Sequence, residues 1–221
     1  MKTLIGLLLA ISCFTTGLAQ DLTLVKSRKS DFTIIIPAEP TLEEIKGAKV
    51  LQHYLFEISG AKLPVKRDSG LPGLNKEILV GKVSRAETAL LPYDKMGKDG
   101  IYIENNGKQL VLTGGPKKGV EYAVYTFLEK YLGCKKYTSS FEVIPRQKTI
   151  KLPPIADLQV PDFSFREVFY HHAYDAKFMA WHKLHSHTKR GEEPAEWGHW
   201  VHTFHNFLNP EEYGESHPEY F

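Results

Sequence analysis

The side chains best suited to chemistry crowd into the last quarter of the chain. Nine of the ten histidines and all three tryptophans lie between His171 and His217. Just before them, Arg166 sits inside the apolar run Phe163 to Tyr170. A fixed guanidinium presents several N–H donors in one plane, which suits vicinal hydroxyls or a carboxylate. The same fork could equally bond carbonyls at a strand end. His202 and His205 are the next candidates, with Trp200 and Phe204 beside them. An aromatic face can stack on the apolar face of a sugar ring while imidazole bonds its hydroxyls; the alternative is half-buried packing.

Other chemistries fit the residues less well. His199, His202 and His205 fall at intervals of three, with His182, His185 and His187 nearby, but there is no His-Glu-x-x-His. Zinc needs three or four ligands fixed as a tetrahedron, so no metal site is expected. Gly114 and Gly119 have the G-x-x-x-x-G spacing of a phosphate-binding loop. The next residues are Val120 and Glu121, where such a loop needs Lys and then Ser or Thr, and a carboxylate in the first helical turn repels an anion. No cofactor is expected. Glu167, Asp175 and the pair Glu192-Glu193 belong to no motif, so no catalytic acid or nucleophile is assigned.

The first twenty residues bear on the compartment. Lys2, the apolar run Leu4 to Phe14 and the small-x-small site Gly17-Leu18-Ala19 form a signal-peptide pattern, so export to the periplasm or the medium is expected. Lipid attachment at Cys13 is the lesser alternative, because Ala10 stands where a larger aliphatic residue is usual. Cleavage after Ala19 leaves Cys134 as the one cysteine, which excludes an intramolecular disulfide. A formal net charge of +2 with interspersed signs gives no reason to expect a nucleic-acid partner, and no later stretch is long and apolar enough for a transmembrane helix.

The elements that must position the candidates lie upstream. Phe32 to Ile36 is a β-branched run ended by Pro37. Thr41-x-x-Glu44 is a capping box, and Leu42, Ile45, Ala48, Leu51, Leu55 and Ile58 form the stripe of a helix stopped by Gly60. Glu77 to Val80 reads as a buried strand. Gly100 to Glu104 and Gln109 to Thr113 read as a hairpin, with Asn106-Gly107 supplying positive φ. Val120, Ala123, Val124, Phe127, Leu128 and Tyr131 line the next helix, and Gly133 caps it. Phe141 to Ile144 and Thr149 to Leu152 can add strand. The expected fold class is therefore α/β, an α+β-like mixed sheet with helices packed on it, over residues 21–154. Pro153-Pro154 and Pro161 bracket an expected linker at 155–161. Phe163 to Tyr170 then reads as a strand and Asp175 to His185 as a helix.

The helix wording Gly119, Tyr122 to Tyr125, Phe127 to Glu129, Leu132 and Gly133 resembles the N-terminal accessory domain of bacterial glycoside hydrolases of the β-hexosaminidase and α-glucuronidase type. Pro161-x-Phe163-x-x-Arg166 resembles the first barrel strand of the β-hexosaminidase-like families. Arg166-Glu167-Val168-Phe169-Tyr170, Val201 to Phe204 and His217 to Phe221 look close to exported bacterial proteins with the same domain order. The resemblance implies that 162–221 begins an incomplete (β/α)₈ barrel and that Arg166 holds sugar hydroxyls on its floor. It also implies a carbohydrate substrate, with the catalytic carboxylates beyond Phe221. The expected function is thus the N-terminal portion of a secreted glycoside-hydrolase-like protein in glycan degradation, itself without hydrolase activity. The runner-up is a non-catalytic carbohydrate-binding or scaffolding module, and a third reading is a His-rich metal-binding protein.

Overall fold

The computed structural model describes residues 21–70, 73, 76–85, 88, 90–185 and 204–221. The expected signal peptide, with Cys13 and the Ala19 cleavage site, lies outside the described residues, as do Trp200 and His202.

Strands β1 (Leu22–Val25), β2 (Thr33–Ile36), β3 (Val65–Arg67), β4 (Glu77–Val80), β5 (Ile101–Asn105) and β6 (Leu110–Gly114) are followed by β7 (Lys135–Lys136), β8 (Glu142–Val143), β9 (Ile150–Leu152) and β10 (Ile155–Gln159). The central sheet has six strands in the order β10-β5-β6-β4-β2-β3. Four of them, β2, β3, β4 and β6, run parallel, while β5 is antiparallel to both β6 and β10. The two small ladders pair β1 with β9 and β7 with β8.

The central strands read as unbroken apolar runs because both sheet faces are covered. Ile34, Ile36, Ile78, Val80, Leu110 and Leu112 face α1 (Leu42–Ser59) and α2 (Gly119–Lys130). Ile35, Leu79 and Val111 point the other way, beneath Val83 and the partly buried Leu91.

At the start of α1 the capping box forms as expected. The Thr41 hydroxyl accepts the Glu44 N–H at 3.2 Å, and the Glu44 carboxylate accepts the Thr41 N–H at 2.8 Å. The other Glu44 oxygen accepts the Lys82 N–H at 3.1 Å, which ties the helix start to the end of β4. Gly60 closes the helix at φ 77°. Leu42, expected in the stripe, is 60% exposed. It lies nine residues from Leu51, and at about 100° per residue that is the opposite side of the helix. The buried face runs through Glu44, Gly47, Ala48, Leu51, Tyr54, Leu55 and Ile58 instead. In the β5–β6 turn only Gly107 takes positive φ, at 85°. Asn105 and Asn106 side-chain oxygens accept the N–H groups of Gly107 and Lys108 at 2.9 and 3.0 Å, so Asx bonding closes the rest of the turn.

Three further expectations are corrected. Residues 155–159, expected in a linker, form β10 and pair with β5 along its length. Pro153 and Pro154 precede that strand and Pro161 follows it, so no proline has to donate to the ladder. Residues 163–170, expected to be a strand, form none. Their backbone is tied to the residues after α3 instead: the Arg166 carbonyl accepts the His185 N–H at 2.7 Å. The helix expected over Asp175 to His185 is shorter, α3 (Ala176–Trp181). Asp175 caps it by accepting the Phe178 N–H at 2.8 Å, and Lys183 at φ 58° turns the chain away. The described residues after Pro161 therefore contain no β/α unit of a barrel.

What α3 contributes is an anchor. Trp181 is fully buried, its ring tilted against Tyr125 at 5.1 Å and Tyr54 at 5.5 Å. A side chain well past the expected domain boundary thus completes the contact between α1 and α2. Trp181→Ala is expected to lower the unfolding free energy by about 3 to 5 kcal/mol, as for other large core aromatics. Urea unfolding would measure it. A chain ending at Pro154 should also unfold at lower urea than one ending at His185, since it loses both β10 and this ring.

Candidate functional site

The site begins where β6 turns into α2. A Cβ on Gly119 would lie 2.5 Å from the Gly100 carbonyl oxygen, and one on Gly114 would lie 2.5 Å from the same atom. Only glycine allows these backbones to touch. The N–H groups of Gly115 and Lys117 are directed at the carbonyls of Gly100 and Lys98, at 2.8 and 3.1 Å. Donors that a phosphate-binding loop would offer to its ligand are thus bonded to a neighbouring loop. That contact holds the 96–100 segment and sets Asp99 beside α2.

Asp99 gathers the residues around it. One carboxylate oxygen, Oδ2, accepts from Arg166 Nη2 at 3.1 Å and bonds His185 Nε2 at 2.9 Å. The Arg166 N–H donates to His185 Nδ1 at 3.1 Å. An Nδ1 that accepts leaves the ring hydrogen on Nε2, where it is given to Asp99. The remaining Arg166 donors reach the carbonyls of Lys183 at 2.9 Å and Phe163 at 2.6 Å. Its guanidinium lies 5.9 Å from the centre of the fully buried Tyr122 ring, and Phe165 stacks on His185 at 5.8 Å. The Asp99 side chain is only 7% exposed. Burial pushes its pKa up, but the hydrogen bonds from His185 and Arg166 outweigh this and hold it below the usual carboxylate value. The other oxygen, Oδ1, is buried without a hydrogen-bond partner among the described residues.

Of the expected site residues, Arg166 is therefore placed in a latch between the segment after Pro161 and the sheet domain. His205 lies exposed on the short helix α4 (Phe204–Phe207), next to an exposed Phe204. Other histidines have structural partners. The His172 ring nitrogen Nδ1 bonds the Ser139 hydroxyl at 2.9 Å, and His182 Nε2 bonds the Lys136 carbonyl at 3.0 Å. Among the described residues no three His, Cys, Asp or Glu side chains gather as a metal ion would require. None of the described helices is long and apolar enough to cross a membrane.

Sequence reasoning missed Asp99, because no motif in Lys98-Asp99-Gly100 singles it out. It also missed a second charged cluster. Glu142 accepts from the Tyr54 hydroxyl at 2.7 Å and from Lys177 Nζ at 3.0 Å, with Lys136 Nζ at 3.6 Å. Burial raises the Glu142 pKa, but those hydrogen bonds bring it below its ordinary value. Burial first, then the Glu142 charge, pushes the free thiol of Cys134 up to about 12. That cysteine is protonated and unreactive at neutral pH.

A family model described as a domain of unknown function (DUF4838) matches residues 136–221. No curated protein matches the chain. Among solved structures, the chain is similar to a family GH115 4-O-methyl-α-glucuronidase with specificity for decorated arabinogalactans. The two are 17% identical with a TM-score of 0.45, over 66% of this chain and 19% of that one. It is also similar to the GH20 β-N-acetylhexosaminidase of Streptomyces coelicolor A3(2), at 17% identity and a TM-score of 0.41, over 67% of this chain and 26% of that one. The chain thus spans well under half the length of either enzyme.

Asp99→Asn keeps the shape of the latch and removes its charge. It is expected to destabilise by about 1 to 3 kcal/mol at neutral pH, the range for a hydrogen bond to a charged group. The sign of the pH effect follows from the lowered pKa. The Asp99 contribution is complete above its unfolded value near ~4 and is lost as pH falls through the lower folded value. Chemical unfolding from pH 7 down to about 2 should show a shallower loss for Asp99→Asn than for the parent. Some acid loss remains, because Asp68, Asp157 and Glu142 are also held low.

Proposed function

We propose that the chain is the N-terminal portion of an exported glycoside-hydrolase-like protein that acts on a complex glycan. In this reading the sheet domain is an accessory unit, and the segment after Pro161 leads into a catalytic (β/α)₈ barrel. The observation that carries the reading is the β6, glycine turn and α2 unit. Its residue pattern resembles that of the accessory domain, and its glycines fit a contact that admits no side chain. The latch supports it further, since Asp99 beside that unit takes Arg166, the residue that the family resemblance marks on the following segment.

The chain itself is assigned no hydrolysis. Glycosidic cleavage ordinarily needs two carboxyl groups about 5 to 10 Å apart, both facing substrate. Among the buried or half-buried carboxylates, Asp68, Glu77, Asp99, Glu142 and Asp157 are each bonded to a basic side chain. Glu44 is taken up by the Thr41 and Lys82 backbone N–H groups, and Glu104, whose pKa burial raises, is bonded to Tyr102. A carbohydrate-binding role is favoured by one specific feature. Tyr137 and Phe141 are both more than half exposed, with rings stacked 5.9 Å apart at 24°. Such a platform suits the apolar face of a sugar ring.

The test is affinity electrophoresis of the purified chain in gels containing neutral or acidic polysaccharide, alongside an assay for released reducing ends. Retardation without release is expected; no retardation by any polysaccharide would overturn the reading. Phe141→Ala should weaken retention by about 1 kcal/mol, the scale of one aromatic contact. Arg166→Lys cannot reach three acceptors and should lower the melting temperature. A loss of retention in Arg166→Lys at temperatures where the variant is fully folded would assign the fork to the sugar as well.

A further inference from the structure

On the face made by β1, the 26–32 segment that leads into β2, and Lys76 there is a cleft of about 550 Å³, within the size range of small-molecule sites. Its charged lining is Lys26, Lys29, Lys76 and Asp31. Three ammonium groups and one carboxylate leave two positive charges in excess. Lys76 is paired with Asp31 at 2.8 Å. Lys26 and Lys29 have no carboxylate partner among the described residues.

Two independent costs meet at this cleft. Lys26 and Lys29 exchange both backbone hydrogen bonds, Lys26 N–H to Lys29 O at 2.8 Å and Lys29 N–H to Lys26 O at 3.0 Å. They are thus a directly opposed pair across a two-residue turn, and like charges so placed destabilise a hairpin. The turn residues Ser27 and Arg28 sit at φ 50° and 65°, the left-handed pair that a type I′ hairpin needs and that Asn-Gly supplies best. Lys76, across the cleft, is left-handed as well, at φ 78°. Only one other described non-glycine residue, Lys183, has positive φ. Non-glycine residues held in that region gather at ligand clamps, where the surrounding structure enforces them. Here the enforcement is visible: Arg28 N–H bonds the Lys148 carbonyl at 2.7 Å, and Ser27 N–H bonds the Thr149 hydroxyl at 3.3 Å.

We propose that this cleft is an oxyanion-binding site, with Lys26 and Lys29 clamping the carboxylate or sulfate group of an acidic saccharide. An anion between the opposed ammonium groups would turn their repulsion into attraction. Lysine suits the task because it acts as a point charge and does not require a planar partner. Thr23 also lines the cleft and brings a hydroxyl side chain to it. The oxyanion assignment stands on the cleft alone, while the saccharide part rests on the glycan reading above.

The experiment is calorimetric titration of the whole chain with a sulfated oligosaccharide, a uronate oligosaccharide, a neutral oligosaccharide of equal length, and sodium sulfate. Both acidic sugars should bind at least roughly tenfold more tightly than the neutral one, with an advantage that fades as salt rises. Lys26→Gln/Lys29→Gln should abolish that advantage and leave neutral-sugar binding unchanged. Its melting temperature should hold or rise, because the opposed charges are gone, and Lys26→Arg/Lys29→Arg should keep the acidic preference. Equal binding of acidic and neutral sugars would overturn the cleft and spare the glycan reading. Sulfate binding lost in the Gln variant, with no saccharide bound at all, would keep the oxyanion site and overturn its saccharide assignment. Displacement of the acidic sugars by phosphatidylserine vesicles, absent with phosphatidylcholine vesicles, would also overturn that assignment in favour of a lipid headgroup.

Discussion

At the N-terminal end of α2 three stretches of backbone meet with no side chain between them. Gly114 ends β6, Gly119 begins α2, and the carbonyl of Gly100 lies against both. Any Cβ at Gly114 or Gly119 would force this oxygen away, and with it the first residue of β5 and the loop that carries Asp99. The constraint is steric, so it cannot be softened by a rotamer change in the way a tight side-chain contact can. From it follow the entry angle of α2 onto the sheet, the position of Tyr122 on the first turn of that helix, and the place at which Arg166 and His185 find a carboxylate.

Buried charge is used here to join segments distant in sequence. Asp99 is bonded to partners 67 and 86 residues away, and Glu142 joins Tyr54, 88 residues earlier, to Lys177, 35 residues later. On the opposite sheet face Arg85 lies between Asp68 at 2.6 Å and Glu77 at 3.2 Å, all three side chains more than nine-tenths buried, and Gln109 donates to Glu77 at 3.2 Å. Pairs of this kind add little net stability after desolvation, yet removing one partner is costly because the other remains buried and unpaired. Their effect is to penalise alternative placements of Arg85, of the β7–β8 hairpin and of the Arg166 and His185 segments.

The segment after Pro161 shows two modes of attachment. Trp181 is an apolar anchor, sealed between Tyr54 and Tyr125. Around Arg166 the attachment is polar, and the flanking Phe163, Val168 and Phe169 stay exposed. Fixing one end of a segment by a core aromatic and the other by directional hydrogen bonds sets both its position and its orientation on α2. The chain between them includes the 3₁₀ turn His171–Tyr174.

The local elements were legible in the sequence because their causes are local. Thr41 and Glu44 are three residues apart, Gly60 and Gly133 need only their own φ, and unbroken runs such as Ile34-Ile35-Ile36 declare a strand covered on both sides. Even the alternative reading of Arg166, a fork bonding carbonyls, could be stated from its donor geometry. Three things could not be. Leu42 fell outside the buried face because the helix phase is set by Leu51 and Ile58 against the sheet. Residues 155–159 became a strand by pairing along the edge of β5, while 163–170, with comparable apolar content, pair with no strand. Asp99 acquired its role only when Gly100 and Gly114 brought its loop to α2. Helix caps and glycine turns depend on residues a few positions apart, whereas edge availability, helix phase and the company of a buried carboxylate depend on which distant segments pack together. Only the tertiary structure decides that.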